Sequence, residues 1–516
     1  MTGRKLLIDT NVFIGLEDQK EIAPEFAKML QLCNQHAVRV FVHEAALEDI
    51  KRDRDVARRK VSLSKVKKFE QLTKVKQPSL ADLEAHFGPM PKPNDVVDVA
   101  LLHALNIGVV DFLITQDQGI HGRAKRCMPP LADRVLTVSD AVAWLRASFE
   151  PTKVILPFVE ELPAHAIDPT DDIFESLRQG YPGFDKWWRE KCVHNHRRCW
   201  AATIDGELAG LVVPKQETHA EAGTKHLGPK ILKICTFKVK PQFRGEKLGE
   251  LLLKQVLWFA QKNAFDLVYL TTFEDQKVLI SVLKFFGFEK TGINDLGEHI
   301  YEKPLPRERL IPATGDDIFY LARTNYPRFV GRPPAEAFCV PIRGEYHDVL
   351  FPELATQTQG DLFGAAAIYG SNQAARTPGN TIRKVYLCRA PTTKLKPGSV
   401  LLFYRSSSPG YIASQSVTSV GVVEAVTNAS SSEELVRFTA KRSVYSEDQL
   451  EGFQATKPHP VKVIDFLLIG HLDPLMKLTE LIAAGVFNGR PPQSICQLPS
   501  ERFDPVRRRM TFGFEV

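Results

Sequence analysis

"FKVKPQFRGEKLGELLLKQVLWFAQ", residues 237–261, passes from an alternating apolar stretch through a tight turn into residues with apolar side chains at helical spacing. The first amide N–H groups of a helix entered this way have no intrahelical acceptors. They sit at the positive end of the helix dipole and form an anion site suited to a pyrophosphate. Arg244 and Lys247 add two cations at the turn. Upstream, "RRCWAATIDGELAGLVVPKQ" (197–216) alternates like a β-hairpin turning at Asp205-Gly206, and "ILKICTFKV" (231–239) reads as the next strand. Downstream, "LVYLTTF" (267–273) is a further strand, and a short helix precedes "FFGFEKTG" (285–292). Behind the linker-like "EPTKVILPF", the segment 150–305 is expected to form a mixed-sheet α+β domain.

This segment resembles the GNAT acetyltransferases, whose acyl-CoA motif is Gln/Arg-x-x-Gly-x-Gly/Ala. Here the motif reads Arg244, Gly245, Glu246, Lys247, Leu248, Gly249, with Lys247 where the family has its first glycine. The resemblance implies that these six residues and Val239 hold acetyl-CoA, and that a substrate amine attacks the thioester directly. The family commonly places a tyrosine acid four residues before the Gly-Phe pair; that position is Leu283 here. Water or another side chain would then have to protonate the leaving thiolate.

Residues 1–148 alternate strand and helix signals, which predicts βαβ crossovers and a three-layer domain with a parallel sheet. Polar groups collect at the strand ends: Asp9 and Asn11 after "LLI", Glu48 in the helix after "VRVFV", Asp98 in "NDVVDVALLHAL", and Thr115 and Asp117 in "FLITQD". Carboxylates gathered without cations repel one another, so such a cluster suits a hard divalent ion. Glu44 competes with Glu48, and Asp95 lies one turn before Asp98 on the same face.

The pattern "LLIDTNVF", "HEAALEDI", "VVDVALLHAL", "FLITQD" resembles the PIN domain ribonucleases. The resemblance implies Asp9, Glu48, Asp98 and Asp117 as catalytic acids binding Mg²⁺ or Mn²⁺, with Asn11, Thr115 and Asp95 in support. Between Lys51 and Lys76 eleven Lys or Arg stand against three acids, a local net of +8, which suits a polyanion. Lys51, Arg52, Arg58, Arg59 and Lys60 are the expected RNA contacts there.

Residues 306–516 carry many short strand signals. "IRKVYLCRAPTTKLKPGSVLLFYRS" followed by "SVTSVGVVEAVTN" resembles the PUA-like barrels, the ASCH and EVE domains among them. That implies a small β-barrel presenting Tyr404 and Arg405 to RNA. "DDIFESLRQGYPGF" (171–184) and "DDIFYLARTNYPRF" (316–329) are near-repeats, read either as paired docking elements or as chance convergence on one helix stop signal. "CVHNHRRCW" (192–200) reads as a Cys/His packing face rather than a zinc site, and Trp187 and Trp188 as packing residues.

At 516 residues the chain exceeds one hydrophobic core. Its eight cysteines are scattered, no signal-peptide pattern opens it, and no apolar run reaches membrane-spanning length, so a cytoplasmic, membrane-free protein is expected. Taken together, the chain reads as an RNA-directed bifunctional enzyme, a metal-dependent endoribonuclease joined to an acetyl-CoA-dependent N-acyltransferase. RNA, including tRNA, acetyl-CoA and a regulatory or antitoxin protein are its expected partners. The rival readings are an acyl-CoA-sensing RNA-binding protein, or an N-acetyltransferase whose flanking domains deliver substrate.

Overall fold

Contiguous apolar runs too short for helices give the N-terminal part four strands, β1 (Lys5–Ile8), β2 (Arg39–His43), β4 (Phe112–Ile114) and β5 (Val135–Leu136), and the polar, largely exposed β3 (Glu70–Leu72) joins them at the sheet edge. The computed structural model describes residues 4–14, 24–51, 56, 59, 63, 66, 69–73, 75, 78–149, 158–204, 206–243, 247–355, 376–378, 381–408, 413–439 and 447–516. The chain forms two compact units, Met1–Val154 with Asn428–Val463, and Ile155–Phe243 with Lys247–Thr427 and Ile464–Val516.

In the first unit the sheet order is β3-β2-β1-β4-β5 and every neighbouring pair is parallel. Leu6, Leu7 and Ile8 are wholly buried, as a parallel strand covered on both faces requires. The helix Pro93–Asn106 begins with Pro93, whose missing N–H costs nothing in the first turn, and the Asp95 carboxylate accepts the Lys92 N–H at 2.8 Å. Its Val99, Leu102 and Leu105 share a core with Leu7 and Leu113. The helical reading of 44–76 holds over Glu44–Lys51 and at the described residues Val56, Arg59, Leu63 and Val66, and fails at its end, where Glu70–Leu72 pairs with β2 as a third strand. The helix Ser432–Thr439 also belongs to this unit, and its Arg437 donates to Asp111 Oδ1 at 2.9 Å. Residues 428–463, read from sequence as part of a third domain, are therefore a return of the chain to the first unit.

The second unit holds two sheets. One is eight-stranded, of β6 (Phe158–Pro163), β7 (Arg198–Ile204), β8 (Glu207–Glu217), β9 (Ile231–Val239), β10 (Leu267–Thr272), β11 (Glu289–Ile293), β12 (His299–Pro304) and β14 (Arg376–Pro378), ordered β11-β12-β10-β9-β8-β7-β6-β14. All its pairs are antiparallel except β9 with β10. The other holds β13 (Ala337–Ile342), β15 (Arg383–Cys388), β16 (Val400–Arg405), β17 (Ser416–Ala429), β18 (Val461–Lys477) and β19 (Cys496–Leu498). Its order among the described residues runs β15-β18-β17-β16-β13-β19, where the sequence suggested a closed barrel.

The helix Leu248–Lys262 is apolar around most of its circumference, and residues of both sheets share its core, from Val212 and Ile234 to Val420 and Leu467. Even its buried polar residues are paired: Glu250 accepts from the Arg383 N–H and Nε at 2.7 and 3.0 Å, and Lys254 pairs with Glu353. Gly287 of the "FFGF" stretch has φ +81°, and a Cβ there would meet the Thr324 carbonyl oxygen at 1.9 Å, so only glycine fits. The two near-repeats each cap a helix with an aspartate but not the equivalent one, since Asp171, the first of its pair, accepts from Ile173 N and Asp317, the second of its pair, from Tyr320 N, and their tyrosines differ as well. Tyr181 donates to Glu298 and Tyr326 to the Leu468 carbonyl. Among the described residues no helix is long and apolar enough to cross a membrane.

Candidate active site

In the second unit, β9 and β10 run parallel only from Ile231–Ile234 against Leu267–Leu270. Beyond that point the strands part. Thr271 and Thr272 keep their pairing with β12, while Thr236 to Val239 keep theirs with β8. The result is a notch in the middle of a sheet, with strand edges on either side able to bond an extended amide-bearing ligand.

Val239 ends β9, and the helix start at Leu248 lies close to the same strand, since the Gly249 Cβ position is 3.9 Å from the Phe237 ring. Lys247 stands just before this helix with φ 54°, the left-handed conformation that favours glycine. The backbone bend expected of a glycine is thus retained with a lysine side chain in place. Glu250 and Leu251 donate to the Lys247 carbonyl, which leaves the Leu248 and Gly249 N–H groups as first-turn donors with no intrahelical acceptor. Arg244, Gly245 and Glu246 lie outside the described residues. Leu283 is fully buried in the apolar core with Phe286 and Phe288, so it offers no acid.

A cleft of about 630 Å³ adjoins the parting point, with Lys191, Arg197, Lys215 and Lys233, one carboxylate, Glu217, and Trp187 in its lining. Glu217 ends β8, accepts from Tyr269 OH at 2.5 Å and Lys215 Nζ at 2.7 Å, and is 4% exposed. Burial, and then the Glu217 carboxylate, pushes the Tyr269 phenol upward; burial and Glu298 do the same to Tyr181. Both hydroxyls therefore serve as hydrogen-bond donors. Sequence reading missed this cleft because its residues come from three segments, though the alternation of Lys215/Glu217 and Lys233/Cys235 along two strands was visible. Trp187 and Trp188 both pack as read, Trp188 buried and Trp187 half-buried against Phe184, and Trp187 also lines the cleft. Cys192 and Cys199 are buried in the core of this face, and β7 begins at Arg198, so no single helix carries the Cys/His set.

In the first unit, the chain leaves β1 toward β2 on one side, while β4 and β5 lie on the other. The carboxyl ends of β1 and β4 thus flank the switch point where open α/β sheets bind ligands. Asp9 follows β1; its Oδ2 accepts from Thr115 Oγ1 at 2.7 Å and its Oδ1 from the Thr10 N–H at 2.7 Å. Asn11 donates to Thr115 Oγ1 at 3.2 Å and accepts from the Gln116 N–H at 3.1 Å. Asp117 follows β4 and caps the helix Gln118–Cys127 through the Gly119 N–H.

Asp98 is pushed up to about 7, first by burial and then by Asp9, Asp117 and Asp95, against Arg123. Burial also raises Asp9, opposed by its hydrogen bonds to Thr115 and Thr10. The three acids therefore feel one another's charge. Asp95 pairs with Arg123 at 3.1 Å as well as capping its helix. Glu44 is exposed, and Glu48 lies in the helix Glu44–Lys51 with its side chain outside the described residues. The carboxylate charge suits a divalent cation, yet among the described residues no group of three or more His, Cys, Asp or Glu is arranged to hold one.

Of the expected RNA contacts, Lys51 is exposed at the end of that helix and Arg59 is half-buried, while Arg52, Arg58 and Lys60 lie outside the described residues. Tyr404 and Arg405 do not form a groove: each is 1% exposed, and Arg405 Nη1 is tied to Asp348 at 2.6 Å. Every residue of β16 is buried, so these side chains are core, and the expected presentation to a base and a phosphate is corrected.

Residues 164–288 match the model of the Acetyltransferase (GNAT) family. N-acetyltransferase family 8 member 2 of Rattus norvegicus is 30% identical over 100 residues, 19% of this chain and 42% of the relative. N-acetyltransferase family 8 member 3 of Mus musculus is 31% identical over 101 residues, with the same 19% and 42% coverage. The PaiA N-acetyltransferase of Thermoplasma acidophilum, solved in complex with coenzyme A, is 18% identical, covering 28% of this chain and 97% of its own at a TM-score of 0.23. The chain thus spans less than half the length of the curated relatives. A GNAT acetyltransferase domain occupies residues 164–288.

Proposed function

We propose that the second unit transfers an acetyl group from acetyl-CoA to an amine. The observation that carries the reading is the family match over 164–288, within which β9 and β10 part beside a helix N-terminus. The Leu248 and Gly249 N–H groups, with Lys247 and Arg244, would hold the pyrophosphate, and Val239 with its neighbours would border the pantetheine in the notch. The amine nitrogen attacks the thioester carbonyl, the C–S bond breaks, and CoA leaves as a thiolate. With Leu283 apolar and buried, water supplies its proton. The test is thermal stability with acetyl-CoA and thiol release over a panel of amines. Stabilisation and release on one class of amine are expected; neither effect on any amine would overturn the reading. Lys247→Glu is expected to weaken acetyl-CoA affinity about tenfold, by placing a like charge at the pyrophosphate.

A second reading rests on the mutual charge of Asp9, Asp98 and Asp117 at the switch point of the parallel sheet. These acids, with Glu48, would hold Mg²⁺ or Mn²⁺ for phosphodiester hydrolysis in an RNA, and such an ion would supply an activated water and neutralise the phosphoryl charge. Asn11 and Thr115 would orient Asp9. Mn²⁺-dependent RNA cleavage abolished in Asp9→Asn with Asp117→Asn is the expected result. Cleavage unchanged in that variant would refute it.

A further inference from the structure

The cleft beside the parted strands is strongly cationic, and its cations are incompletely matched. Lys215 and Lys233 stand directly opposite each other on β8 and β9, an arrangement that repels unless an anion lies between or beside them. Lys215 has Glu217 at 2.7 Å and Glu221 at 3.8 Å. Lys233 lies over the Tyr269 ring, with Nζ 5.4 Å from its centroid. Arg197 points into the same space: its Nη1 is 3.6 Å from Cys235 Sγ, and its guanidinium is 5.9 Å from the Trp187 ring centroid. Among the described residues no carboxylate pairs with Lys191, Arg197 or Lys233, although Lys233 lies on β9 and Arg197 immediately precedes β7. A cationic guanidinium held beside a thiol and an aromatic ring is poised for a planar oxyanion.

Position adds the chemistry. Cys235 is the first residue of β9 beyond its pairing with β10, so the cleft opens where the notch begins. The single carboxylate, Glu217, is the one group in the lining able to hold an ammonium and take its proton. At about 630 Å³ the space suits a small molecule.

We propose that this cleft, resting on the acetyltransferase reading above, takes as acyl acceptor a small primary amine bearing a carboxylate or phosphate. Arg197, Lys233 and Lys191 hold the anionic end and Glu217 faces the amine. In the reaction the amine nitrogen forms the new C–N bond, the thioester C–S bond breaks, one amine proton leaves through Glu217, and the CoA thiolate gains a proton from water. Lys215 is a positioning residue that holds the Glu217 carboxylate in place.

The test uses the full chain with acetyl-CoA and follows free thiol with glutamate, glucosamine 6-phosphate, tyramine and spermidine. The expected result is a kcat/KM at least tenfold higher for one of the two anionic amines than for spermidine, the better arm telling carboxylate from phosphate. In Arg197→Ala and, separately, Lys233→Gln, the preference for the anionic amine over tyramine is expected to fall at least tenfold, mainly through KM. Preference for spermidine, or an equal loss for all amines, would overturn the proposal. Calorimetric titration of the chain without acetyl-CoA, using glutamate and inorganic phosphate, separates this from the acetyltransferase reading. Binding lost in Lys233→Gln supports the cleft even if no thiol is released, and no binding of either anion overturns it.

Discussion

Replacing Lys254 by methionine tests the buried polar network that crosses the core of the second unit. Lys254 lies on the helix Leu248–Lys262 with its side chain 4% exposed, and its ammonium pairs with Glu353, 10% exposed. Two unit charges about 4 Å apart at an effective dielectric near 20 attract by about 4 kcal/mol, and breaking buried pairs costs about 3–5 kcal/mol because the remaining charge stays desolvated. Lys254→Met should therefore destabilise the unit by about 3–5 kcal/mol at pH 8.5. The cost should shrink at pH 6. Burial pushes Lys384 down to about 7, with Glu353 opposing, so below that pH Lys384 gains a proton and supplies Glu353 with a replacement cation. The double variant Lys254→Met with Glu353→Leu should lose less than the single one, because no orphaned charge remains. Urea unfolding followed by tryptophan fluorescence reads this unit, since Trp187, Trp188, Trp200 and Trp258 lie in it and only Trp144 in the other. A single-variant loss below about 1 kcal/mol, or a double variant worse than the single, would refute the reasoning.

Three further outcomes follow from particular residues. Asp98 titrates near 7 when folded, above its unfolded value, so the folded state binds more protons between about 4 and 7 and stability falls as pH rises through that window. Asp98→Asn should flatten the fall and stabilise the first unit by about 1–3 kcal/mol at pH 8, read by its melting curve. Cys496 stands opposite Cys339 in the β13–β19 pair, and the hydrogen bond from Cys339 draws its thiol down to about 7. Its alkylation by iodoacetamide should show a midpoint near that pH and vanish in Cys496→Ser, whereas a midpoint near 9 would contradict the bonded pair. Gly287→Ala should cost about 3 kcal/mol or more in urea unfolding, because a positive φ and the Thr324 carbonyl both exclude a Cβ.

The lysine in the phosphate loop shows how sequence and structure divide the work. A motif that lacks its glycine suggests a distorted loop, yet Lys247 takes the left-handed conformation a glycine would take. Leu283 shows the opposite: its apolar character was plain in the chain, and full burial agrees with it. Tyr404 and Arg405 were misplaced because an aromatic and a cation beside serines read as surface, while the partner of Arg405, the half-buried Asp348, lies 57 residues away and leaves no local sign.

What the chain determines by itself is local: the strand at 231–239, the helix at 248–262, the capping aspartates and the glycine at 287 follow from periodicity, donor chemistry and backbone sterics within a few residues. Tertiary structure alone decided which strands pair and where they part, that residues 428–463 rejoin the first unit, and that Arg197, Lys215 and Lys233 share one cleft. The physical reason is that a segment's own side chains select its conformation, whereas burial and electrostatic pairing belong to contacts between segments remote in the chain.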